Sequence, residues 1–271
     1  MLRILAALLI VAIASCSPNP YAATNKLYKR QAKELSKQLR QYPLQELVLD
    51  SVKEPDRFVG TTNFNLRKPN FVVIHHTAQD SCGQTLRTFT LERTKVSAHY
   101  VICKDGTLHH MLNDYLRAWH GGISKWGNLT DLNSSSIGIE IDNNGFVPFT
   151  NEQITTLLVL LDTLKKRYDI PAANFIGHAD IAPTRKNDPN VYFPWKQLAD
   201  RGFGLWYDDT TGIMIPDNFN NTQALRIIGY DVRDSIAAMR AFKRHFVQDS
   251  TRGPLTDGGR KILYMVSRKY M

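Results

Sequence analysis

The chain has 271 residues, 43% of them hydrophobic, and its 34 Lys and Arg against 25 Asp and Glu give a formal net charge of +9. This length and composition suit one sizeable globular core with a small second unit. No Lys/Arg-rich run with interleaved aromatics occurs, which argues against a nucleic-acid partner and leaves acidic peptides or anionic lipid head groups to attract the positive charge.

The first residues read as an export signal. Arg3 supplies a positive start, and residues 4–14 are an unbroken apolar run too short to span a bilayer as a mature helix. The run ends in Ile13-Ala14-Ser15-Cys16, a lipobox pattern that predicts a signal peptide over 1–15 and lipidation of Cys16. An ordinary secretory signal with an incidental cysteine is the alternative. Several acyl chains on Cys16 hold a protein to a membrane far more strongly than one. Residues 16–65 then form a lipidated tether and N-terminal segment. A polar helix is predicted over 25–41, where Leu27, Leu35 and Leu39 make only a thin apolar stripe.

Residues 66–212 alternate strand and helix patterns. A continuous apolar strand at 70–76 ends in His75 and His76, and a helix follows at 83–94. Strands at 100–103 and 108–111 flank Lys104-Asp105-Gly106, a hairpin turn. The short strand 137–141 is apolar except for Glu140. Thr150 and Gln153 form a capping box that opens a helix with Ile154, Leu157, Leu158, Leu161 and Leu164 on one face. A strand at 174–177 and a short helix at 195–199 complete the segment. The order predicts an α/β (α+β) fold, a central mixed β-sheet flanked by helices. After a linker near 215–218, helical patterns at 222–229, 233–246 and 257–270 predict a small three-helix module over 216–271, with Ile236, Met239, Phe242 and Phe246 at helical spacing. Export permits a disulfide between Cys82 and Cys103, while Cys103 in an apolar strand is equally readable as a buried small hydrophobe.

The chemistry gathers at strand ends. Strand 174–177 delivers His178 to a segment running to Asp188 that Pro183 and Pro189 keep from being a continuous helix. A strand-end histidine from 70–76, His178 and one loop carboxylate make three zinc ligands, with a fourth position left for water. His75 and His76 compete for the first place, because adjacent strand residues face opposite sides. Asp180 and Asp188 compete for the carboxylate. Glu140, between Ile139 and Ile141, is costly to bury without a task or a partner, so it reads as an acid/base residue or as half of a salt bridge with Arg185.

Five segments occur in series: VVIHHTA (72–78), SAHYVI (97–102), AWHGG (118–122), SIGIEIDNNG (136–145) and HADIAPTRKNDP (178–189). Together, over about residues 60–212, they resemble the type-2 zinc N-acetylmuramoyl-L-alanine amidases, and within them the outer-membrane lipoprotein branch of Gram-negative bacteria. The resemblance implies His75, His178 and Asp188 as ligands of Zn2+, with Asp180 left to cap its loop or to hydrogen-bond a ligand imidazole. It implies Glu140 as the proton shuttle and Lys186 as the electrophile that stabilises the oxyanion. His99, Trp119, His120 and Asn143 are implied near the substrate.

The substrate implied is peptidoglycan, cut between N-acetylmuramic acid, or its anhydro form, and L-alanine. The location implied is the outer membrane, facing the periplasm through the anchor on Cys16, with the chain acting as a monomer. The C-terminal helices resemble a small peptidoglycan-binding module, a helical cap on the enzyme being the other reading. Two rival functions are a non-catalytic peptidoglycan-recognition lipoprotein and a zinc peptidase acting within the stem peptide.

Overall fold

The run Phe71-Val72-Val73-Ile74 is apolar at every position, as expected of a strand covered on both faces. In the computed structural model, which describes residues 19–40, 61–63 and 65–271, it forms β1 (Phe71–His76), and all six residues are buried. The lipobox and Cys16 lie outside the described residues. The chain divides into two units, Met1–Phe64 and Asn65–Met271. The first contains helix α1 (Ala22–Leu39), three residues earlier in onset than its sequence pattern.

Four more strands complete one mixed sheet in the order β3-β2-β4-β1-β5: β2 (Tyr100–Ile102), β3 (Leu108–His110), β4 (Ser136–Ile141) and β5 (Phe175–Gly177). β1 runs parallel to β4 and β5, β2 runs parallel to β4, and β2 and β3 form the antiparallel hairpin. Gly106 in the hairpin turn has φ +83°, a conformation that glycine adopts without a steric cost.

Alternation splits the strands between two cores. Val72, Ile74, Ile137, Ile139 and Ile141 face helix α3 (Asn151–Tyr168), which buries Ile154, Leu157, Leu160, Leu161 and Leu164 against them. Thr150 and Gln153 cap α3 reciprocally, and the Gln153 amide also donates to the Asp142 carbonyl at 2.8 Å, joining the helix to the end of β4. Phe71, Val73 and Ile176 face the opposite way, into a core completed by α6 (Asn221–Ile228), α7 (Ser235–Phe242) and α8 (Asp257–Arg268). Residues 216–271 are therefore the second helical layer over the sheet, within the same compact unit.

Two predicted helices break. The pattern at 83–94 yields α2 (Cys82–Thr90) and a separate 3-10 turn at Glu92–Thr94, because the Thr94 hydroxyl donates to the carbonyls of Thr88 and Leu91 and satisfies them outside a helix. The pattern at 233–246 becomes a 3-10 turn, then α7 capped by Asp234, then a π-helical turn at Lys243–Val247. Ile236 is exposed, outside the apolar stripe to which its spacing assigned it. Cys82 and Cys103 form a disulfide joining the start of α2 to the end of β2. Closing a loop of that size in the unfolded chain stabilises the fold by about 3 kcal/mol.

The shared core makes a prediction. Truncating the fully buried Phe242 to Ala is expected to destabilise the whole unit by about 3–5 kcal/mol, read as one cooperative urea transition moved to lower denaturant. Two separate transitions, with the sheet's own unchanged, would show that the C-terminal helices fold independently.

Candidate metal centre and active site

Because β1 pairs with β4 in parallel register, His75 lies directly beside Glu140, and both side chains project to the face covered by the C-terminal helices. His76 pairs with Ile141 and projects to the other face, where its ring lies against Gly145. β5 ends at Gly177, and a single helical turn, α4 (His178–Ile181), starts with His178 beside β1. The chain then loops back so that the Ala179 amide donates to the Asp188 carbonyl at 2.7 Å, which brings the Asp188 carboxylate under the same imidazoles.

The three side chains converge. His75 Nδ1 lies 2.9 Å from His178 Nδ1 and 3.2 Å from Asp188 Oδ2, and His178 Nδ1 lies 3.0 Å from the same oxygen. All three residues are buried. Ligand atoms on a tetrahedral zinc ion with bonds of about 2.0–2.1 Å sit about 3.3 Å apart, close to this spacing. The donor chemistry fits as well. His178 Nε2 is 3.2 Å from the Gly121 carbonyl, which can only accept, so Nε2 carries the hydrogen and Nδ1 presents a lone pair. Burial first, then the neighbouring His178, lowers the His75 pKa to about 4 and keeps its imidazole neutral, the form that ligates a metal.

Glu140 Oε1 is 4.0 Å from His75 Nδ1, beside the ligand cluster and outside it. Its Oε2 is buried without a hydrogen-bond partner among the described residues. Burial, then the nearby Asp188 carboxylate, pushes its pKa up to about 8, while Lys186 pulls the other way. The alternative salt bridge with Arg185 does not form. That guanidinium instead donates to the carbonyls of Gly121 and Ile123, lacing the 178–188 loop to the 118–125 loop. Lys186 is exposed on the same loop, and its charge is felt at both Glu140 and His75.

Of the four residues expected near the substrate, three are buried and one is exposed. His99 is fully buried, its Nε2 donating to the Leu116 carbonyl and its Nδ1 accepting from the Gly138 amide, so both ring nitrogens are used within the fold. His120 is buried against Gly138, with Nδ1 3.0 Å from His75 Nε2 and Nε2 3.2 Å from Ser136 Oγ. Asn143 is also buried. Its amide donates to Val147 and Pro148 and its oxygen accepts from Gly145 and Asn190, which shapes the loop after β4. Trp119 alone of the four is open to solvent, at 49% exposure.

Asp180, the rival carboxylate, makes no hydrogen bond to the imidazole of His75 or His178 among the described residues. It accepts from the Gly177 amide, from the Tyr230 hydroxyl and from His245 Nδ1, each at 2.7 Å. Burial, then the Asp180 carboxylate, raises the Tyr230 pKa well above the ordinary phenol value, so the hydroxyl stays a donor. The π-helical turn carries His245 into this contact and stacks it at 3.8 Å on Trp195, the first residue of α5 (Trp195–Ala199). The C-terminal helices thus hold the turn that bears His178. Sequence reasoning missed this role of Tyr230 and His245, since nothing local marks residues 50 and 65 positions away as partners.

Two histidines and a carboxylate sharing one focus, with a largely buried glutamate alongside, could hold a metal ion beside a group able to move a proton. The sequence profile of the N-acetylmuramoyl-L-alanine amidases matches residues 65–191. N-acetylmuramoyl-L-alanine amidase AmiD of Escherichia coli is 34% identical over 206 residues, which cover 65% of this chain and 74% of AmiD. The structure of AmiD in complex with anhydro-N-acetylmuramic acid-L-Ala-D-gamma-Glu-L-Lys superposes with a TM-score of 0.68 at 31% identity, covering 78% of this chain and 93% of AmiD's. AmpDH3 of Pseudomonas aeruginosa, solved with anhydromuramic pentapeptide, also has a TM-score of 0.68, at 30% identity, covering 81% of this chain and 99% of its own. The chain belongs to the N-acetylmuramoyl-L-alanine amidase family.

Two predictions test the site's electrostatics. Tyr230→Phe leaves a buried carboxylate one donor short, and is expected to cost about 1–3 kcal/mol in urea denaturation. No loss would mean that the Asp180 cluster does not anchor the C-terminal layer. For Glu140, the folded value of about 8 lies above the ordinary carboxylate value of 4.5. Its contribution to stability is therefore fully present below the unfolded pKa and lost as pH rises through the folded one. Metal-free protein should lose stability relative to Glu140→Gln between about pH 5 and pH 8.5; parallel curves for the two proteins would contradict this.

Proposed function

We propose that this protein is a zinc-dependent N-acetylmuramoyl-L-alanine amidase that hydrolyses the amide between the lactyl group of N-acetylmuramic acid and L-alanine of the peptidoglycan stem peptide. The observation that carries the reading is the meeting of His75 Nδ1, His178 Nδ1 and Asp188 Oδ2 within 3.2 Å of one another, with Glu140 4.0 Å from the first. His75, His178 and Asp188 would hold the ion. Zinc bound there supplies Lewis acidity toward a water and toward the scissile carbonyl.

The chain's own groups do the rest. Glu140 takes a proton from the attacking water and passes it to the leaving nitrogen of L-alanine, so the amine departs neutral. Its raised pKa suits a group that must hold that proton between the two steps. Lys186, exposed on the loop that carries Asp188, offers a positive charge to the oxyanion of the tetrahedral intermediate. Trp119, exposed one residue before His120, offers an apolar face to sugar or peptide. The anhydro-muropeptides bound to the AmiD and AmpDH3 structures support an anhydro substrate as one form accepted.

The lipobox supports an anchor on Cys16 that holds the enzyme, as a monomer, on the outer membrane facing the periplasm. No helix among the described residues is long and apolar enough to cross a membrane.

Digestion of purified muropeptides, followed by mass spectrometry, tests the proposal. The expected products are a free peptide beginning with L-alanine and a sugar that keeps its lactyl group. Chelation should abolish turnover and zinc restore it. Glu140→Gln should lose about 10²–10⁴-fold in kcat while still binding zinc. Cleavage inside the stem peptide would make the protein a peptidase, and turnover indifferent to chelator would remove the metal.

A further inference from the structure

We propose that His120 and Ser136 form a hydrogen-bond relay that fixes which nitrogen of His75 faces the metal position, making both of them positioning residues for the ion. The inference rests on the zinc reading above. At the far end of the relay stands a group that has no choice of role. The Leu132 carbonyl can only accept, and Ser136 Oγ lies 2.5 Å from it, so the Ser136 hydrogen points there. The same Oγ lies 3.2 Å from His120 Nε2 and must accept, which puts the His120 hydrogen on Nε2.

His120 has His75 and Ser136 as its side-chain partners, and neither is an anion that would favour a second proton. Its Nδ1 is therefore a lone pair, and His75 Nε2, 3.0 Å away, donates to it. That leaves His75 Nδ1 as the lone pair. Nδ1 is also the atom that converges with His178 and Asp188. Two independent readings, proton direction from Leu132 and distance to the other ligands, select the same nitrogen.

The surroundings are built for the relay. A Cβ on residue 138 would stand 2.4 Å from His120 Cγ, so the ring occupies space that Gly138 leaves on the sheet face. Asn133 Oδ1 accepts from the amides of His120 and Gly121 at 3.1 and 2.7 Å, pinning the loop. One loop thus orients both imidazole ligands, His75 through the His120 ring and His178 through the Gly121 carbonyl. Loss of such outer partners weakens metal binding by about 10–100-fold.

Imidazole 1H–15N correlation spectra of the metal-free protein read the tautomers directly: Nε2–H is expected on both His75 and His120, and Nδ1–H on His120 would overturn the relay. Zinc affinity by chelator competition supplies the second reading. His120→Leu is expected to raise Kd about 10–100-fold. His120→Asn places a carbonyl acceptor near the Nδ1 position and should stay within about 3-fold of wild type, on the scale of a retained outer-shell bond. Gly138→Ala, which displaces the ring but keeps its chemistry, should behave like His120→Leu. Zinc binding undiminished in folded His120→Leu, or equal loss in the Leu and Asn variants, sinks the proposal. Wild-type protein that binds no zinc would instead remove the metal reading, and the tautomer spectra would still decide the relay.

Discussion

The parallel pairing of β1 with β4 is the constraint on which the rest of the site depends. It sets His75 opposite Glu140 and Val73 opposite Gly138, all on one face of the sheet. A slip of one residue would turn His75 toward α3 and leave an isoleucine beside the ligands. The apolar residues on both strands prevent that slip, because each is matched to one of two cores. Hydrophobic burial far from the chemistry thereby determines where a nitrogen and a carboxylate stand to within a few ångströms.

A buried carboxylate needs partners, and the two near this centre are satisfied in opposite ways. Asp180 has three donors drawn from its own turn, from the segment after α6 and from the π-helical turn. It is spent wholly on structure, fastening the His178 turn to the C-terminal layer. Glu140 has an oxygen with no hydrogen-bond partner among the described residues and bears the desolvation cost as a raised pKa. That contrast separates an acid fully engaged in the fold from one left unpaired more clearly than burial does.

The fold class was legible in the sequence because its signals are local: apolar runs for the strands, the Thr150–Gln153 box for α3, and Lys104-Asp105-Gly106 for the hairpin. The pairing of His75 with His178 was legible because both sit at strand ends, where side chains emerge together. The burial of His99, His120 and Asn143 was not legible. Their neighbours in sequence line the centre, but the hydrogen bonds that turn them inward come from Gly138, Ser136 and Asn190, on other segments. Pattern also could not tell an attached module from a covering layer. The same amphipathic helices serve either arrangement, and the deciding partners, Phe71, Val73 and Ile176, lie elsewhere in the chain.

That covering layer constrains how such a protein can diversify. A targeting segment joined by a free linker can be exchanged for another by recombination, since its loss leaves the enzyme's interior untouched. Here α6, α7 and α8 provide the hydrophobic ceiling over one side of the sheet, and the segments that join them carry two of the donors that hold the His178 turn. A chimera that substitutes a foreign C-terminal segment inherits an uncovered apolar sheet and a stranded aspartate. New binding preferences must therefore arise by point changes on the outer surfaces of these helices, with the inward residues kept in place.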